Sequence, residues 1–172
     1  DYILSLCQYT VIMTHESYTQ AGALVTSLFL EAFRFNGRLL AAGDQLVAGL
    51  GLTSARWQVL GAVALADRPQ PVAHIARTMG LSRQNVQRIV NDLSGAGYLD
   101  FTSNPHHKRA KLVLLTAAGR EVYDAAHRRQ VPWANRLGEA FTADQIRDAM
   151  SVLHGLRTAL ETEENQNVEE YA

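Results

Sequence analysis

Two short apolar repeats joined by a glycine turn constrain this chain more than anything else in it. Val72, Ile75, Ala76 and Met79 stand at i, i+3, i+4 and i+7, the spacing of one helix face. Val86, Ile89, Val90 and Leu93 repeat that spacing. Between them lies Gly80-Leu81-Ser82, a glycine able to turn the chain out of one helix and a serine able to cap the next. Two single-striped helices so close in sequence must fold across a shared core. Away from its stripe the second helix carries Arg83, Gln84, Asn85, Gln87 and Arg88. Guanidinium forks and amides of this kind match base edges and phosphate oxygens. The pattern is a helix-turn-helix, with the second helix as the reading element. Ser82 joins that set as a phosphate ligand, because a helix N-terminus favours an anion. At about 100° per residue, Gln84, Gln87 and Arg88 cluster, Arg83 lies beside them and Asn85 sits at the edge.

The next segment extends the motif. Gly95-Ala96-Gly97 ends the second helix, and Tyr98–Thr102 alternates as a strand should, with Leu99 and Phe101 on one face. Lys111–Leu115 reads as a second, more buried strand. The polar stretch Ser103–Arg109 between them is too long for a tight hairpin and brings His107, Lys108 and Arg109 to its outer end. A hairpin tipped with Arg is a wing, and the negative potential of a narrow minor groove attracts such a side chain.

Taken together, Leu81-Ser82, Asp92-Leu93, Gly97-Tyr98, Asn104-Pro105, Lys108-Arg109-Ala110-Lys111, Leu115-Thr116 and Gly119 resemble the MarR family of winged-helix transcriptional regulators. The likeness runs from about residue 24 to residue 160, and its specific part is the wing. It implies a dimer of two interlocked protomers on a double-stranded DNA operator. It also implies a small-molecule effector, often an aromatic or phenolic acid, bound between the DNA-binding lobe and the dimer frame. The family usually has Asp two residues before the wing Arg, where it holds that Arg by a salt bridge. Here the position is His107, which has no carboxylate to offer that Arg.

Charge distribution agrees with a nucleic-acid partner. Between Pro69 and Leu115 there are six Lys or Arg against two Asp, whereas residues 161–172 hold five Glu and no Lys or Arg. No run of 18 apolar residues suggests a membrane span, and the first residues lack the basic start of a secretory signal. A single cysteine, Cys7, cannot form an internal disulfide, which suits a reducing, cytoplasmic setting. Neither Cys7, without a cationic neighbour, nor the six scattered His carry the spacing of a redox or metal site, so no cofactor or metal is expected. A redox- or metal-responsive regulator on the same fold is the alternative, since a site assembled across a dimer leaves no local signature. No phosphate loop, zinc-protease motif or nucleophile elbow points to an enzyme. A winged helix used only for protein contacts would need an apolar second helix face, the opposite of Arg83, Gln84, Gln87 and Arg88.

The expected fold is mainly α with a small β-hairpin wing (α+β), a winged helix-turn-helix held between N- and C-terminal helices that form a dimerisation frame. Residues 1–23 stand outside the resemblance as an N-terminal extension. Residues 24–50 form a dimerisation helix, 51–116 the DNA-binding lobe, 117–163 the C-terminal dimerisation helices and 164–172 an acidic tail. The first helix, with Leu24, Leu28, Phe29, Phe33, Leu39 and Leu46, is apolar around its circumference and should be buried on more than one side. An intramolecular bundle would use the same surface. Thr53, Thr116 and Thr142 are expected helix caps, and Pro132 should bend or restart the helix that begins at Thr116. Phe33, Arg34, Arg38 and Trp57 could give an effector pocket an aromatic wall and a carboxylate anchor. The other reading packs Phe33 and Trp57 in the core and leaves the two Arg in solvent.

Overall fold

The computed structural model describes residues 18–105, 107 and 109–170. Cys7, Lys108 and residues 1–17 of the expected extension lie outside the described residues. Helix α1 (Gln20–Val47) starts at Thr19, whose Oγ1 accepts from the Gly22 N–H at 3.0 Å. A 3-10 turn (Ala48–Leu50) leads to α2 (Ser54–Ala64), capped by Thr53 Oγ1 as the sequence suggests. Then come β1 (Gln70–Pro71), α3 (Val72–Thr78), α4 (Arg83–Gly95), β2 (Leu99–Thr102), β3 (Leu112–Leu115), α5 (Ala117–Gly138) and α6 (Ala143–Glu170).

The core belongs to the middle of the chain. Val47, Leu52, Val59, Leu60, Ile75, Val86, Val90, Leu93, Leu99 and Val113 are all buried. Both apolar stripes of the helix pair contribute, so α3 and α4 cross over a common centre. The sheet that closes the lobe has the order β1-β3-β2, antiparallel throughout, with Leu99 opposite Leu115 and Phe101 opposite Val113. Its third strand, Gln70–Pro71 against Leu112 and Val113, has no alternation to betray it, because two residues are too few for a period.

Two expectations need correcting. Pro132 does not restart the helix: α5 runs unbroken from Ala117 to Gly138. Proline deprives one carbonyl of its partner, and in a long exposed helix water can serve that carbonyl instead. Nor is α1 buried on several sides within the protomer. Only Gly43 and Val47, near its end, are buried, while Phe33 is 75% exposed and Leu24, Leu30 and Phe35 are also open. The chain divides into two compact units, one ending at Ala126 and the other beginning at His127. In the second unit Leu137, Phe141, Ile146, Met150, Val152, Leu153 and Leu160 are exposed. Its helix α6 opens with a reciprocal cap, Thr142 Oγ1 accepting from the Gln145 N–H and Gln145 Oε1 from the Thr142 N–H. It continues to Glu170, so residues 164 to 170 extend the helix.

Candidate nucleic-acid interface

Helix α4 is aimed by the turn before it. At Gly80 (φ +63°) the chain leaves α3 in the left-handed region, with Gly80 N–H donating to Arg77 O and Leu81 N–H to Ala76 O. This pair of bonds reverses the chain within three residues. Ser82 then caps α4, its Oγ accepting from the Asn85 N–H at 3.3 Å. The acceptor is used in the cap, but the hydroxyl proton remains available to a phosphate oxygen. Gly97 (φ +80°) ends the helix by the same pair of bonds, made to Leu93 and Ser94, and delivers the chain into β2.

Burial of Val86, Ile89, Val90 and Leu93 turns the polar side of α4 outward. Ser82, Arg83, Gln84, Asn85 and Arg88 are exposed, and Gln87 is half-buried. Gln87 donates through Nε2 to Asn91 Oδ1 at 2.9 Å. Arg88 donates through Nη2 to Asn85 Oδ1 at 3.4 Å, which draws the edge residue Asn85 to its neighbour one turn on. Arg88 also lies 3.7 Å from the Asp92 carboxylate, and Asp92 in turn accepts from Arg56 on α2 at 3.3 Å.

The wing meets α4 across a cleft of about 300 Å³, lined by Arg83 and Gln87 on one side and Arg109, Ala110 and Lys111 on the other. Pro71, Val72, Ala73 and Phe101 complete it. Three cations and an amide around one cleft make a receptor for an oxyanion chain rather than for a neutral ligand. Lys111 stands with Nζ 6.0 Å from the centre of the Phe101 ring, near the outer limit of a cation–π contact. From the sequence Lys111 is legible as a charge of the basic module; its place just before β3, two residues past Arg109, is the signal that brings it to the site.

His107 shapes the wing through its backbone. Its N–H donates to Asn104 O and its carbonyl accepts from the Ala110 N–H. Both His107 and Arg109 are exposed, and among the described residues no carboxylate forms an ion pair with Arg109.

The residues considered for an effector differ in their surroundings within the protomer. Phe33 is exposed on α1, so core packing does not describe it, whereas Trp57 on α2 packs against the core. Arg34 pairs with Glu31 at 3.5 Å on the exposed side of α1. Neither the cleft at the wing nor a second cleft of about 180 Å³ beside Arg68 and Arg120 is lined by Phe33, Arg34, Arg38 or Trp57. Among the described residues, no group of three or more His, Cys, Asp or Glu is placed to hold a metal ion. No single described helix is long and apolar enough to cross a membrane.

Three kinds of likeness converge. Residues 50–110 match the model of the MarR family. The uncharacterised protein Rv2011c of Mycobacterium tuberculosis is 34% identical over 139 residues, covering 81% of this chain and 96% of that protein. The transcriptional activatory protein BadR of Rhodopseudomonas palustris is 27% identical over 143 residues, 80% of this chain and 79% of BadR. Among solved structures, the transcriptional repressor CouR bound to a 23-mer DNA duplex superposes with a TM-score of 0.69 at 26% identity, covering 82% of this chain and 99% of that one.

Proposed function

The chain belongs to the MarR family of winged-helix, DNA-binding transcriptional regulators, and from that premise we propose that it grips a pseudo-palindromic operator as a twofold dimer and represses the genes behind it. The observation that carries this reading is the facing pair of basic edges, Arg83 and Gln87 on α4 against Arg109 and Lys111 on the wing. In it, α4 lies in the major groove and the wing follows the flanking backbone into the minor groove. Arg88 forks onto a guanine, Gln84 and Gln87 meet adenine edges or phosphates, and Asn85 supports Arg88. Ser82, Arg83, Lys111 and the wing residues His107, Lys108 and Arg109 supply affinity more than sequence choice.

Dimerisation through α1, α5 and α6 accounts for apolar side chains that the protomer leaves in water. CouR is named a repressor and BadR an activator, and repression here requires an operator that overlaps the promoter. Release by a small aromatic acid is the finer part of the proposal. In it, the ligand is held where α1 of one protomer meets its partner, with Arg34 or Arg38 as the cation for its carboxylate. A ligand that favours a conformer with the two reading helices wrongly spaced would empty the operator by population shift.

The test is a selection from a randomised duplex pool, repeated with Arg88→Ala. The reading requires one enriched, dyad-symmetric sequence for the parent protein and a preference weakened by about 1–3 kcal/mol at one base pair per half-site for the variant. A pool that stays random contradicts DNA recognition itself. Titrating small aromatic carboxylates into the enriched complex tests the effector, and a complex intact throughout removes that part alone.

A further inference from the structure

Asp92 lies one helical turn beyond Arg88, and its carboxylate is shared between two guanidinium groups. Its Oδ2 accepts from Arg56 Nη2 at 3.3 Å and stands 3.7 Å from Arg88 Nη1. From the other side, Asn85 Oδ1 accepts from Arg88 Nη2 at 3.4 Å. The Arg88 side chain is 70% exposed, and among the described residues these two oxygens are what orients it. Arg56 and Asp92 are only 37% and 36% exposed. The nearer, better covered pair therefore fixes the carboxylate, and the carboxylate turns Arg88.

Charge explains why two arginines are needed. A lone carboxylate beside Arg88 would neutralise the cation and repel phosphate. Arg56 offsets it, so the three side chains together keep one net positive charge. Arg88 is oriented without being neutralised. Exposed ion pairs of this kind add little to stability, so the arrangement needs some reason other than holding the fold together.

We propose that Asp92, braced by Arg56, is a positioning residue that sets which base edge Arg88 reads, and so takes part in sequence choice without touching DNA. The proposal rests on Arg88 reading a base. Pre-orienting a flexible side chain removes part of the ordering cost of binding, and it does so only for the sequence that matches the fixed orientation. On an unmatched duplex, where Arg88 meets only phosphate, its direction matters little.

Two duplexes test it: the one the parent protein enriches from a randomised pool, and a shuffled duplex of equal length and composition. Asp92→Asn keeps the shape of the side chain and removes its charge. Affinity for the shuffled duplex should hold or rise, because a negative charge near the phosphates is gone. The ratio of enriched to shuffled affinity should fall roughly fivefold, the low end of what one base contact is worth. Arg56→Met should lower the same ratio and also weaken shuffled binding. In an Arg88→Ala background, Asp92→Asn should leave the ratio where it was. A variant that loses both affinities together, with a lowered thermal midpoint, marks Asp92 as merely structural and overturns the proposal. If Arg88→Ala reduces the ratio and Asp92→Asn does not, positioning by Asp92 is overturned while base reading by Arg88 stands. If neither changes it, Arg88 reads no base and both readings fall.

Discussion

Gly119, in the first turn of α5, packs so closely on Tyr98 that a β-carbon there would come within 2.0 Å of the Tyr98 carbonyl oxygen. That oxygen already accepts from the N–H and the hydroxyl of Thr116, and Thr116 Oγ1 caps Gly119 N–H at 2.9 Å. The junction fastens the start of α5 to the strand that enters the wing. Backbone cannot yield as a side-chain tip does, so Gly119→Ala should destabilise the protein by about 3 kcal/mol, the upper range for overpacking. Urea unfolding of parent and variant at matched concentration checks this, and equal midpoints would refute it.

That junction also measures how far the sequence could be read. Thr116 and Gly119 were legible as parts of a motif, but only the packing against Tyr98 gives the glycine its reason. The helix pair was legible because its two apolar stripes are local and periodic, and Thr53, Ser82, Thr116 and Thr142 were legible as caps because a cap acts within three residues. What stayed hidden depends on distance along the chain. Arg56 and Asp92 are 36 residues apart, and no local spacing announces their pairing. The exposure of Phe33 was misjudged for a related reason: composition tells that a helix has apolar surface to cover, not whether its own protomer covers it.

Arg109 has no ion-pair partner among the described residues, so its whole charge is available to the backbone of a duplex. Arg109→Ala should weaken binding to matched and shuffled duplexes alike and reduce the slope of log affinity against log salt by up to about one unit. Lys111→Ala should act in the same direction, since Lys111 lines the same cleft. Salt titrations by fluorescence anisotropy read both, and slopes equal to the parent's would remove these side chains from the interface.

Phe33 stands open on α1 in the protomer. If a second copy covers it, Phe33→Asp should raise the dimer dissociation constant at least about tenfold, because burying such a side chain contributes roughly 1.5–3 kcal/mol. The lobe should remain folded, since the core residues from Val47 to Ala126 do not include Phe33. Sedimentation velocity over a dilution series decides the matter. A parent protein that is monomeric throughout, or a variant that dissociates no sooner, contradicts the dimer frame.

The central claim is that two copies of α4, each seated beside its wing, meet one duplex across a twofold axis. Hydroxyl-radical footprinting on the enriched duplex tests it most directly. The account predicts two equivalent protected patches, centred roughly 34–36 Å apart about a dyad, each flanked by minor-groove protection that disappears with Arg109→Ala. A single patch, or protection indifferent to changes at Arg83, Arg88 and Arg109, would contradict it.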